Sequence, residues 1–328
     1  MSSYCVFVYT PGLAIIVTGV TIAVTIFLVG SFSSFTHGQT LLKTIGSFGS
    51  GNGQLNDPRG IVLDTKGNMY IVDNGNNRIE EFDSTGKFIR TWGSFGTGDG
   101  QFNRPLGITL DYTRGYVYVT DTGNDRVEKF TGNGTFITKW GSFGKGEGQF
   151  NAPIGIDEDE AKQNVYVTDI GNNRVERFAS NGLFVSQFGS YGSGDGQFYN
   201  PGRVAVDPSG NVFVADFGNN RIEKFDANGN FIMAWGSFGI GDGQFRSPTG
   251  MTVQYPQGNV YVVDTGNQRV QEFSNDGKFI NKWDLPSSVA LNTVRGVDID
   301  VNSTGTIFLT NGNANTIHVI AATPVTQK

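Results

Sequence analysis

The chain has 328 residues, a net charge of −6, 47 glycines and 26 phenylalanines, with only 16% of residues charged. That balance excludes a disordered chain and gives the molecule no general attraction for nucleic acid or anionic lipid. A single cysteine, Cys5, excludes a disulfide framework and any thiolate zinc centre such as a RING.

Residues 1–36 hold no charged side chain, and Leu13 to Gly30 form an apolar run of 18 residues. That length is close to what crosses the hydrocarbon core of a bilayer as a helix. The reading is a short tail over 1–12, a transmembrane anchor or signal segment over 13–35 and a linker over 36–40. The start MSSYCVFVYT lacks Lys and Arg and the run exceeds a usual signal-peptide core, which favours an uncleaved anchor. Small residues at Gly30, Ser31, Ser33 and Ser34 carry the competing reading, a cleaved signal. Lys43, the first basic side chain, would by charge bias place the rest inside. Export behind one N-terminal span is a common arrangement, and Asn133-Gly-Thr and Asn302-Ser-Thr permit glycosylation. The expectation is a single-pass membrane protein with its bulk extracytoplasmic, or a secreted one if the segment is removed.

Residues 41–321 are filled by repeats. Asp-x-Gly-Asn-x-Arg-(Val/Ile)-x-x-Phe begins at Asp73, Asp121, Asp169, Asp216 and Asp264, at offsets of 48, 48, 47 and 48 residues. Each copy follows Gly-Ser-(Phe/Tyr)-Gly-x-Gly-x-Gly-Gln-(Phe/Leu)-x-x-Pro, from Gly46, Gly93, Gly141, Gly189 and Gly236. A sixth, degenerate unit runs from about Trp283 to Ile320 and keeps TNGNANTIHVI from Thr310. Such a period marks stacked supersecondary units.

Within one unit, GITLD (107–111), YVYVTD (116–121), RVEKF (126–130) and TFITKW (135–140) read as four strands bounded by turn residues. Short connections make an antiparallel meander, and apolar residues on both faces require neighbouring sheets on both sides. The prediction is an all-β, six-bladed β-propeller of four-stranded antiparallel blades, preceded by one N-terminal transmembrane helix. The sixth unit lacks a fourth strand, and TLLKTIGSFG (40–49) parallels KFIRTWGSFG (87–96). Residues 41–45 are therefore expected to complete the last blade, leaving 322–328 as a tail. In such a meander both repeated loops share one face.

The string GxGDGQFxxPxGI…VYVxDxGNxRVxxF resembles the NHL repeat, closely in five units and weakly in the sixth. The resemblance implies a six-bladed propeller of the kind that serves as a protein- or RNA-binding platform, as a sensor ectodomain beyond a membrane span, or, in a few relatives, as a lyase. Ligases with this repeat owe their activity to a RING, absent here. The lyase relatives rely on histidine-rich metal sites, whereas this chain has only His37 and His318.

Asp73/Arg78, Asp121/Arg126, Asp169/Arg174, Asp216/Arg221 and Asp264/Arg269 are read as a structural tie made once per blade, since every blade has it. Asp99, Glu147, Asp195 and Asp242 each offer one oxygen side chain to a loop, too few for a calcium site. The run DEDE from Asp157 to Glu160 breaks the pattern on an inner strand, either to hold a cation near the channel or as a solvated strand end. No catalytic triad, metal or cofactor is expected.

Positions that vary between blades on the signature face carry the candidate site. Ile154, Ile170, Tyr199, Phe217 and Ile240 gather apolar character in units three to five, as a docking site does. Scattered exposed apolar residues are the competing reading. Bases recur near the same end at Arg59, Arg104, Lys145, Arg203, Arg246 and Arg295, of which Arg59, Arg203 and Arg295 are taken as candidate ligands. The expected function is a membrane-anchored, non-catalytic binding or sensor module whose face docks a protein or small ligand. The alternatives are an anionic-ligand or RNA-binding platform, with nucleic acid disfavoured by net charge, and a metal-dependent lyase- or lactonase-like enzyme.

Overall fold

The computed structural model describes residues 40–289, 291 and 297–321. The expected anchor over 13–35, the tail from 322 and Arg295 lie outside the described residues. Among the described residues no helix is long and apolar enough to cross a membrane.

The described residues open with β1 (Thr40–Ile45) and then lay down blades in order. Blade one is β2 (Pro58–Leu63), β3 (Met69–Asp73), β4 (Arg78–Phe82) and β5 (Phe88–Trp92); blade two is β6 (Ile108–Asp111), β7 (Tyr116–Asp121), β8 (Arg126–Thr131) and β9 (Phe136–Trp140). Blade three is β10 (Pro153–Asp159), β11 (Asn164–Asp169), β12 (Arg174–Ala179) and β13 (Phe184–Phe188). Blade four is β14 (Pro201–Val206), β15 (Val212–Asp216), β16 (Arg221–Phe225) and β17 (Phe231–Trp235). Blade five is β18 (Pro248–Val253), β19 (Val260–Asp264), β20 (Arg269–Phe273) and β21 (Phe279–Asp284). Blade six has β22 (Ile299–Val301), β23 (Thr306–Asn311) and β24 (Thr316–Ala321), and takes β1 as its outer strand.

The first strands of neighbouring blades touch one another around a central channel, and β2 meets β22 where the ring closes. Second and third strands are buried over most of their length, because each sheet is covered by a blade on either side. Outer strands alternate half-buried with exposed residues. The core therefore lies between blades. Val72 and Ile79 of blade one pack with Phe102, Ile108 and Val119 leading into and within blade two.

Two devices join the blades. The first is the exchange of β1, whose Lys43 and Ile45 pair antiparallel with Val319 and Ile317 of β24, hiding an edge that would otherwise be open. The second repeats around the ring. After each short 3-10 turn one residue turns left-handed, at φ 53° for Asn77, 52° for Asp125, 53° for Asn173 and 55° for Asn220. Its side-chain oxygen accepts the backbone N–H of the residue before the next blade's proline: Arg104 (2.8 Å), Ala152 (2.7 Å), Asn200 (2.9 Å) and Ser247 (2.9 Å). Asn315 of blade six does the same for Asp57 of blade one at 2.8 Å, across the closure. Asn and Asp suit this place because they tolerate the left-handed conformation and carry the acceptor.

Candidate functional site

On the face that carries both repeated loops, each blade builds the same buried network. In blade two, Asp121 Oδ1 accepts the Asn103 N–H at 2.7 Å, and Oδ2 accepts from Asn124 Nδ2 and Arg126 Nε, both at 2.7 Å. The Arg126 guanidinium then donates to the carbonyls of Thr97, Gly98 and Gln101 at 2.6–2.9 Å, and pairs with Glu128 at 2.6 Å. The equivalent ion pairs hold Asp73 to Arg78, Asp169 to Arg174, Asp216 to Arg221 and Asp264 to Arg269, at 2.7–3.0 Å. The arginines thus clamp the glycine loop of their own blade, and their charge is spent inside the scaffold.

The loop they clamp sends its two aromatic residues in opposite directions. Phe102 is 0% exposed, wedged between blades, where Gly93 (φ 100°) leaves room for its ring. Phe95, seven residues earlier, is 71% exposed. Phe48, Phe143, Tyr191 and Phe238 stand at the same exposed position, so five aromatic rings decorate this face.

The apolar positions that vary between blades fall around those rings. Ile170 and Phe217 open the 3-10 turns of blades three and four and are half-buried. Tyr199 is 45% exposed and meets Tyr191 edge-on at 5.7 Å, lying over Gly218 beside Phe217. Ile240 is 73% exposed next to Phe238, over which Arg246 stacks at 5.3 Å. Ile154 sits apart, half-buried at the channel, where its carbonyl accepts from Thr120 Oγ1 at 2.9 Å and Arg203 at 3.4 Å.

The candidate bases are placed differently from what their spacing suggests. Arg59 is buried and pairs with Asp57 at 2.7 Å. Arg203 is buried too, and it crosses the channel. Its Nε meets Asp298 at 3.1 Å, and its Nη atoms reach the carbonyls of Leu106 and Ile154 at 3.1 and 3.4 Å. Arg203 and Asp298 stand where the other four blades have Gly60, Gly107, Gly155 and Gly250. Two blades thus replace the glycine with opposite charges that pair across the axis and close the channel below the signature face.

Beyond that closure the channel widens into a cavity of about 720 Å³ that opens between the turns of the opposite face. Its wall includes Asp157, Glu158, Asp298 and Asp300, with Tyr112, Glu160 and Tyr255 among the residues of the rim. Burial pushes Asp157 up to about 6 and Asp300 up to about 7, against the hydrogen bonds that favour their charged forms. The DEDE run is therefore largely an interior feature: Glu158 and Asp159 are buried, Asp157 faces the cavity and only Glu160 reaches the rim. Among the described residues no group of three or more His, Cys, Asp or Glu side chains is arranged to hold a metal ion. His318 lies on β24 and is buried, which lowers its pKa.

Two groups of residues escaped the sequence reading, each for a different reason. The exposed aromatics share one pattern with the buried ones, and periodicity alone does not say which points out. The blade-six channel residues Asp298 and Asp300 could have been found by aligning the six inner strands, where Asp300, like Asp157 of the DEDE run, stands in place of Val62, Thr109, Ala205 and Thr252.

The NHL repeat pattern matches residues 55–82, 102–130, 198–225 and 245–273. The chain carries NHL repeats within a six-bladed β-propeller. Protein lin-41 of Caenorhabditis elegans is 44% identical over 48 residues, a stretch that makes up 15% of this chain and 4% of that protein. Virginiamycin B lyase from Staphylococcus aureus superposes with a TM-score of 0.58 at 16% identity, covering 87% of this chain and 89% of that one. A chain of the nidogen/laminin complex superposes at 0.55 and 20% identity, covering 74% and 84%. A gluconolactonase from Xanthomonas campestris gives 0.59 at 13% identity, covering 82% and 87%. At these identities the likeness is one of fold.

Proposed function

We propose that the chain is a non-catalytic binding module that docks a protein partner on its signature face, over blades four and five. The observation that carries this is the gathering of Tyr191, Tyr199, Phe217, Phe238 and Ile240 on one rigid face. Large apolar and aromatic side chains held in place by a scaffold lose little entropy on binding, and they dominate hot spots. Arg246 and the acidic loop residues Asp195 and Asp242 supply a polar rim of both signs. The nidogen/laminin complex, in which a similar propeller takes part in a protein complex, supports the reading.

An anionic ligand or RNA at this face is less well served. Arg59 and Arg203 already hold Asp57 and Asp298, so two of its expected contacts are engaged inside the fold. We further propose that residues 13–35 tether the module to a membrane with the propeller outside, a reading that rests on the apolar run Leu13 to Gly30.

The test of docking is capture from cells by the wild-type chain and by the triple variant Ile170→Ser, Tyr199→Ser, Phe217→Ser. The variant should keep its melting temperature and lose the partner. Recovery of the same partner by both would reject this face as the docking site. Protease shaving of intact cells with mass spectrometry of the N-terminus tests the tether and its orientation together.

A further inference from the structure

The inner strands break the sixfold pattern of the blades in a way that is itself regular. Thr109, Tyr112 and Asp157 on blades two and three recur as Thr252, Tyr255 and Asp300 on blades five and six, each pair 143 residues apart. The hydrogen bonds repeat with them. Asp157 accepts from Thr109 Oγ1 and from the Val206 N–H, both at 2.8 Å. Asp300 accepts from Thr252 Oγ1 at 3.2 Å and from the Leu63 N–H at 2.8 Å. Because blades three and six lie opposite in a ring of six, the two carboxylates stand on facing walls, each pinned by the blade before and the blade after it.

Charge in the cavity does not balance. Asp298 has Arg203, but among the described residues neither Asp157 nor Asp300 takes part in an ion pair. Lys66 on the blade-one turn is the other base along the lining, and it is exposed to water. An independent sign comes from Glu158. It lines the same cavity and is 7% exposed, and neither of its carboxylate oxygens finds a hydrogen-bond donor. A buried acceptor of that kind calls for a donor that the chain itself does not provide. Between the carboxylates the wall is isoleucine, valine and methionine, and the exposed rings of Tyr112 and Tyr255 flank the entrance. Aromatic faces attract organic cations, and a cavity of this volume suits a small molecule.

We propose that the channel end opposite the signature face binds an aliphatic diamine or polyamine, its two ammonium groups meeting Asp157 and Asp300 and its methylene chain lying on the apolar wall between them. Two cationic ends match two facing carboxylates, and the closed Arg203–Asp298 layer gives the channel a floor. The site is separate from the docking face, so neither reading depends on the other. With burial already raising both carboxylates, a bound dication would favour their charged forms, and binding would release protons near neutral pH.

The experiment is isothermal titration calorimetry of the full chain at pH 8 with putrescine and spermidine, set beside butylamine and calcium chloride. Saturable one-to-one binding of a diamine or polyamine is expected, with butylamine at least tenfold weaker. The double variant Asp157→Asn, Asp300→Asn should lose at least tenfold in affinity while melting within a few degrees of wild type. Tyr112→Ala, on the exposed rim, gives a second variant with no buried charge at stake, and it should weaken binding severalfold. Absence of amine binding, equal affinity for butylamine, binding unchanged in both variants, or binding of calcium alone would each overturn the proposal.

Discussion

The two ends of the channel use one repeat in opposite ways. On the signature face, five blades make the same contacts: an aspartate–arginine pair, a clamped glycine loop and a buried apolar plug, a phenylalanine ring in four of them and Leu55 in the first. Along the channel, equivalent positions differ, and glycine in four blades gives way to Arg203 and Asp298 in the other two. Symmetric positions are thus spent on holding blades together, and asymmetric ones are where chemistry can be placed.

The comparison is broken first at the tie itself. Asp121→Ala leaves the buried Arg126 with Glu128 alone and strips the Asn103 N–H and Asn124 of their acceptor, and should cost about 3 kcal/mol by urea denaturation. A change well under 1 kcal/mol would show that the loop contacts alone hold the arginine.

The two aromatics of one loop sharpen it next. Phe102→Ala should cost about 3–5 kcal/mol through the cavity it leaves. Phe95→Ala should stay within about 0.5 kcal/mol, because its ring already faces water. Equal effects would contradict the division of labour between the rings.

At the channel, Arg203→Ala strands Asp298 and should cost about 3 kcal/mol. Arg203→Gly combined with Asp298→Gly restores the residue of the other blades and should recover part of that loss. A double-mutant cycle measures the coupling, expected at about 1 kcal/mol or more.

The smallest effect is one of pH. Glu80, Glu128, Glu176 and Glu223 occupy one position in blades one to four, and burial raises each to about 7 against the pull of its arginine. Blade five has Gln271 there, bonded at 2.9 Å to the same loop N–H, from Gly243. A folded-state pKa above the unfolded value of 4.5 means that the glutamate's contribution to stability is present at low pH. It is lost as pH rises through about 7. Glu128→Gln should therefore be nearly neutral near pH 4.5 and lessen the fall in melting temperature between pH 4.5 and about 7. His318 acts the other way, since burial lowers its pKa and protonation below 6.5 favours unfolding. An unchanged pH profile in Glu128→Gln would show that this carboxyl titrates normally.

Much of this was readable from the chain. The period, the four strands per unit and the pairing of residues 41–45 with the last unit all follow from alternation and turn residues, which are local signals. What escaped depends on register between distant blades. Arg203 finds Asp298 only because two inner strands face the same axis. The residue before the repeated arginine, written as variable, is Asn77, Asp125, Asn173 or Asn220, and its role lies in the following blade. The DEDE run reads either as a cation holder near the channel or as a solvated strand end, and only the packing of neighbouring inner strands shows how deep it lies.

The exchange of β1 has one more consequence. Thr40 and Ala321 are cross-strand partners, so the first and last residues of the ring sit where every other blade has a tight turn, such as Asp83 to Lys87 between β4 and β5. Joining Ala321 to Thr40 through a turn of that kind, and opening the chain between Asn228 and Gly229 instead, would move the seam to blade four. A circular permutant made this way should fold and melt close to the parent, since the ring distinguishes its blades by their side chains and not by where the chain is cut.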